Sequence, residues 1–205
     1  MQNPPHDPPR PDPAPPANGP SGDNGQFSDN GPVTSNGLAI GEVITVPDLH
    51  DAPVFYPSGT RLIWISEAGE ISDIRRETAA TRLQSGVVLL CHRRWSEARA
   101  NTEIKVCLDV MELFAFARPA RFCLPTPRGL AAQLGLAVPQ SAEDMAALLP
   151  RAAFMLLDEL ADAAPAPRRE AGAIATMMTV SGWPWGPVIL AHLCLLYTSD
   201  AADDL

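Results

Sequence analysis

Residues Asp109–Leu136 read DVMELFAFARPARFCLPTPRGLAAQLGL and divide into two short helices with a proline-rich connection between them. In Asp109–Phe116 the apolar Val110, Leu113, Phe114 and Phe116 cluster toward one helical face, and Asp109 stands where a carboxylate caps the free amides of a first turn. Pro119 and Pro125 stop regular structure, because proline lacks the amide donor and restricts the residue before it. Thr126-Pro127 restarts a helix, with Thr126 as N-cap, Pro127 in the first position, Leu130 and Leu134 as the buried stripe and Gly135 as the stop. The pair of helices carries no nucleophile, metal cluster or phosphate loop.

Upstream, Arg61–Ser66 (RLIWIS) reads as the strand that begins the core, Glu67-Ala68-Gly69 as a tight turn and Glu70–Ile74 as the hairpin partner. A short helix over Thr78–Leu83 ends near Gly86. Val87–Cys91 (VVLLC) is an apolar, partly β-branched run expected to form a central strand covered on both faces. Trp95–Asn101 reads as a helix and Lys105–Leu108 as a short strand. Residues Gly37–Pro57 are apolar, but Pro47 and Pro53 predict no more than a short edge strand and an extended arm.

Downstream, Ser141 with Asp144 three residues on predicts a capping box, followed by Met145, Leu148, Leu149, Ala152, Leu156 and Leu160 at helical spacing. Pro150 is expected to kink or divide this helix. Ala163–Pro167 reads as a linker, Glu170–Val180 as another helix, and Trp183–Pro187 (WPWGP) as a break before a last apolar segment. The predicted order, β-β-α-β-α-β-α-α, gives an α/β fold with a small mixed sheet and a C-terminal helical extension.

Twenty-two prolines and a net charge of −9 set the chain apart from an average globular sequence, and ten of the prolines precede Val33. Residues 1–37 therefore read as a disordered Pro/Gly-rich tail, with too little apolar surface to offset ordering entropy. No basic head followed by an apolar run marks a signal peptide. An acidic balance argues against a free-standing nucleic-acid binder but leaves room for a local basic patch. Arg93, Arg94, Arg118, Arg121 and Arg128 are the candidate nucleic-acid contacts, and a solvated surface is the plainer account of them. Cys91, Cys107, Cys123 and Cys194 form no CxxC pair, so neither a disulfide framework nor a zinc or iron–sulfur site is expected, and the cytoplasm is the expected compartment. Ile174–Tyr197 is nearly free of charge and raises a membrane-anchored interaction protein as one reading, against which stand Gly182, Pro184, Gly186 and Pro187 in its middle. A buried helical pair is the other reading, and no membrane partner is expected.

The phrases LDVMELFAFARPARFCLPTPRGLAAQLGL (Leu108–Leu136) and GWPWGPVILA (Gly182–Ala191) closely resemble the N-terminal region of alphaproteobacterial DinG-like ATP-dependent DNA helicases. The resemblance spans roughly Ala39–His192. It implies a degenerate DnaQ-type, ribonuclease-H-like exonuclease domain over residues 38–136 and a helical extension over 137–192 leading to a helicase motor. The tail CLLYTSDAADDL (Cys194–Leu205) resembles translated sequencing-adapter read-through, which implies an artefactual end over 193–205 and a natural chain that continues differently. ATP and Mg2+ are implied as cofactors of the intact hydrolase, which would act in DNA repair; none is expected on this segment, whose partners would be its own motor domains and, in one reading, DNA.

Exonucleases of the DnaQ type hold two metal ions with four carboxylates. Their first motif, Asp-x-Glu, is met at Ile65-Ser66-Glu67 by a single acid; their second, His-Asn-x-x-Phe-Asp, is met by His92, with Arg93 for Asn, Ser96 for Phe and Glu97 as the one acid. No His followed five residues later by Asp occurs between Leu136 and Pro167. Glu67 and Glu97 are thus vestigial metal-ligand candidates, catalytic residues are not assigned, and a weak metal-dependent 3′–5′ exonuclease is the alternative function. No G-x-x-x-x-G-K-[ST] phosphate loop or G-x-S-x-G elbow is present. Trp183 and Trp185 could stack on a nucleobase, although packing against a neighbouring helix is the simpler role.

Overall fold

A computed structural model describes the backbone of residues 48–200 and the side chains of residues 48–194. The predicted proline-rich tail lies outside the described residues. Five strands, β1 (Val54–Ser58), β2 (Arg61–Ile65), β3 (Ile71–Asp73), β4 (Val88–Leu90) and β5 (Cys107–Asp109), form one sheet in the order β3-β2-β1-β4-β5. β1–β2 and β2–β3 are antiparallel; β1–β4 and β4–β5 are parallel. Helices α1 (Arg76–Ser85) and α2 (Arg93–Ala100) precede β4 and β5, and α3 (Val110–Ala117), α4 (Pro127–Leu134), α5 (Ala142–Ala161), α6 (Pro165–Val180) and α7 (Trp185–Asp200) follow.

Strand alternation sorts the core onto two faces. Phe55, Leu62, Trp64, Val88, Leu90 and Cys107 pack with Ala79 and Leu83 of α1 and Ala100 of α2. Val54, Ile63, Leu89 and Leu108 face the other way, onto Leu113, Phe114, Leu130, Leu149, Ala153 and Leu156 from α3, α4 and α5. The result is an α/β fold with helices on both faces of a mixed sheet. Because α5 lies against β1, β2 and β4, the α/β core runs well past Leu136, and the pair α6–α7 packs onto it through Ala175, Trp185 and Ile189.

Val54–Ser58 is the central strand, which corrects the expectation of an edge strand followed by a core that opens at Arg61. The Leu89 amide donates to the Pro53 carbonyl at 2.8 Å, so residues 53, 55 and 57 turn their backbone polar groups toward β4. β4 ends at Leu90, opposite Phe55, so the donor that Pro57 lacks has no ladder partner to serve. The local caps agree with their prediction. Asp109 accepts from the Met111 amide, Thr126 from Gly129, and Ser141 and Asp144 close a capping box; Gly135 ends α4 at φ 67°.

Three further expectations are corrected, all at prolines. α5 is not divided at Pro150, because the burial of Ala146, Leu149, Ala152, Ala153, Leu156 and Leu157 on either side offsets the roughly 3 kcal/mol that an interior proline costs. α6 begins at Pro165 and not at Glu170, and α7 begins at Trp185, so that Gly186 and Pro187 lie in its first turn. First-turn amides have no intrahelical acceptor, so a proline there removes nothing the helix uses. Among the described residues no helix is long and apolar enough to cross a membrane.

Candidate functional site

From the carboxyl end of β1 the chain turns to β2 on one side; from the carboxyl end of β4 it crosses through α2 to β5 on the other. Connections that diverge from neighbouring parallel strands leave a crevice outside their carboxyl ends, the usual place for a ligand in an open α/β sheet. In this chain Tyr56 of β1, Cys91 and His92 directly after β4, and Asp109 ending β5 stand at those carboxyl ends, with Met145 of α5 bonded to Tyr56.

Asp109 is the fixed point of this region. Its buried carboxylate accepts from the His92 amide at 2.9 Å, the Arg93 amide at 2.7 Å and the Met111 amide at 3.0 Å. Its backbone carbonyl accepts from the Trp185 indole at 2.8 Å. One residue therefore ends β5, caps α3, holds the start of α2 and anchors α7. His92 sits at φ 66°, a left-handed conformation that costs a non-glycine residue about 1 kcal/mol or more, and the two amides bound by Asp109 keep it there. Its Nδ1 accepts from the Trp95 amide at 3.1 Å, which makes the ring the N-cap of α2.

The remaining crevice groups are neutral and closely packed. The Tyr56 hydroxyl donates to the Met145 sulfur at 3.1 Å, and burial raises its pKa, with the neighbouring Cys91 adding to the shift and Arg128 opposing it. Burial likewise pushes the Cys91 thiol far up, with Asp109 and Cys123 contributing, so it stays a thiol and not a nucleophilic thiolate. The Cys107 thiol is pushed up to about 12, first by burial.

Glu67 and Glu97 stand elsewhere. Ile65 pairs with Val54, which places the Glu67 turn beyond the amino end of β1, where Glu67 lines a surface hollow with Pro53, Arg82 and Gly86. Glu97, on the second turn of α2, accepts from Arg93 Nε at 2.9 Å and the Ile104 amide at 3.1 Å; burial raises its pKa, and these two bonds outweigh that to leave it below the ordinary value. It ties α2 to the segment entering β5. The Asp-x-Glu pair that a DnaQ-type exonuclease carries on its first strand would fall in β1, whose sequence VFYPS has no acid. Tyr56, Met145 and Cys91 are poor ligands for Mg2+, which takes oxygen donors, and both oxygens of Asp109 are committed to amides. These residues do not fit a two-metal centre. Among the described residues no group of three or more His, Cys, Asp or Glu is placed to hold a metal.

Of the five arginines, three are engaged within the fold. Arg93 binds Glu97 and the Ile104 carbonyl, Arg118 binds Glu159 at 2.8 Å and the Gln133 carbonyl at 2.6 Å, and Arg128 donates to the Pro139 carbonyl at 3.2 Å. Arg94 and Arg121 are exposed, with no side-chain partner among the described residues. Trp183 and Trp185 both pack. Trp185 is fully buried, and Trp183 donates to Glu112 at 2.9 Å with its ring centroid 5.1 Å from that of Phe116.

No protein-family model, no curated protein and no solved structure matches this chain.

Proposed function

We propose that this chain is a non-catalytic, ribonuclease-H-like accessory domain of a DinG-like ATP-dependent DNA helicase, and that it braces the motor or engages the strand. The observation that carries the reading is the set of residues at the strand ends: a sheet ordered β3-β2-β1-β4-β5, with β2 alone running against the others, has Tyr56 and Cys91 there, with Met145 of α5 bonded to Tyr56, where metal-binding acids would be needed. Strand order supports the ribonuclease-H-like type, and the crevice chemistry supports the loss of catalysis within it. The quoted likeness of Leu108–Leu136 and Gly182–Ala191 to helicase sequences supports the partner. In that setting ATP and Mg2+ belong to the motor, and Trp185 and Asp109 join the helical pair α6–α7 to the α/β core.

Long-read sequencing of the source locus across and beyond the codon for His192 tests this. The expected result is an open frame that runs into a phosphate-loop motif and then a DEAH-type box. A stop codon directly after Leu205 would overturn it.

A further inference from the structure

The loop between α3 and α4 holds an aromatic ring and a cation out into solvent. Phe122 is 76% exposed and Leu124 59% exposed, the first being the most exposed aromatic ring among the described residues. The loop is nonetheless fixed. The Arg121 amide donates to the Arg118 carbonyl at 3.2 Å, and the Thr126 amide to the Leu124 carbonyl at 2.7 Å. The Leu124 backbone is pressed onto the first turn of α4 so closely that a Cβ at Gly129 would stand 2.2 Å from the Leu124 oxygen. A ring displayed on a rigid frame loses little freedom on binding.

Charge distinguishes between occupants. In a chain of net charge −9, residues 113–142 contain Arg118, Arg121 and Arg128 and no acidic residue. Arg118 is spent on Glu159, which leaves Arg121 exposed beside the exposed ring. An apolar groove on a protein would take Phe122 and Leu124 but would gain nothing from the adjacent cation. An unpaired nucleotide offers both a π-face and a phosphate, the combination used wherever single strands are held without sequence preference.

We propose that Arg121 and Phe122 form a single-stranded DNA contact, Phe122 stacking on an unpaired base and Arg121 meeting the neighbouring phosphate. The proposal rests on the accessory-domain reading, which supplies DNA as the strand.

Fluorescence anisotropy of the full chain with a labelled oligothymidylate tests it. Phe122→Ala should weaken binding about fivefold or more, the equivalent of one lost stack, and leave the salt dependence unchanged. Phe122→Trp should restore binding. Arg121→Ala should weaken binding and reduce the slope of log K against log salt by about 0.7, the value for one phosphate contact on a single strand. Both side chains are exposed, so all three variants should melt like the parent chain. Unchanged affinity of Phe122→Ala, absence of binding at low salt, or self-association that Phe122→Ala abolishes would each overturn the proposal. Such a result leaves the accessory reading standing; ATP hydrolysis by the chain would instead sink that reading, whatever Phe122 does.

Discussion

Replacing Asp109 with Asn tests whether a single buried carboxylate organises the region around the strand ends. The substitution keeps size and shape. Asn Oδ1 can still accept from the His92 and Met111 amides, but its NH2 group then faces the Arg93 amide, donor against donor. Two charge-assisted bonds become neutral ones, at about 0.5–1 kcal/mol each, and one buried amide is left without an acceptor, at about 1–3 kcal/mol. The expected loss is about 2–5 kcal/mol, a large part of the roughly 5–15 kcal/mol that stabilises a domain. Urea unfolding followed by tryptophan fluorescence and circular dichroism would read it as a lower midpoint with an unchanged slope. For a domain of this length Tm should fall by roughly 4–20 °C. Asp109→Ala should cost more, because the cap of α3 goes as well. An Asp109→Asn variant within about 0.5 kcal/mol of the parent would refute the assignment of Asp109 as the organising residue, since that is the scatter expected of an indifferent surface position.

Three other outcomes are expected. Gly129→Ala should destabilise by about 2 kcal/mol or more in thermal melts, because the added methyl meets backbone and not a side chain that can move. Pro150→Ala should raise stability by about 1–3 kcal/mol, since it restores an amide to an already continuous helix; a loss in the same urea assay would show that the ring is needed for packing. Acid titration should weaken the fold in a set window. Asp144 is lowered by its bonds to Ser141, and Asp73 and Glu143 by their bonds to Arg61, so each is more acidic folded than unfolded. Their contribution is present above the ordinary values of 3.8 for Asp and 4.5 for Glu and is lost as pH falls through the folded ones; Asp144→Asn should flatten this loss in pH-dependent melts.

What the sequence disclosed was local. Asp109 as a cap, Thr126-Pro127 as a helix start and the Ser141–Asp144 box all act within three residues, and each stands as read. The prolines were harder, because their cost depends on where the missing donor points. Pro57 is harmless in a central strand only because β4 ends before reaching it, and Pro165 and Pro187 are harmless because first-turn amides are idle. That same difficulty hid β1 and put the first-strand motif at Glu67, beyond the wrong end of the sheet. The crevice was hidden for a related reason. Asp109 meets His92 from 17 residues away and Trp185 from 76 away, and Tyr56 meets Met145 across 89. A buried Asp ending an apolar strand was the available signal, since such a carboxylate must be satisfied by several donors. Its spacing to His92 carries no motif that would have named the partner.

The central claim of the proposed function is that no metal-dependent nuclease acts at these strand ends. Its most direct test is incubation of the chain with end-labelled single-stranded DNA in Mg2+ and in Mn2+, with the products resolved at single-nucleotide length. The account predicts full-length substrate at every time point, as in buffer alone. Stepwise, metal-dependent shortening from the 3′ end that is lost in Glu97→Gln would contradict it.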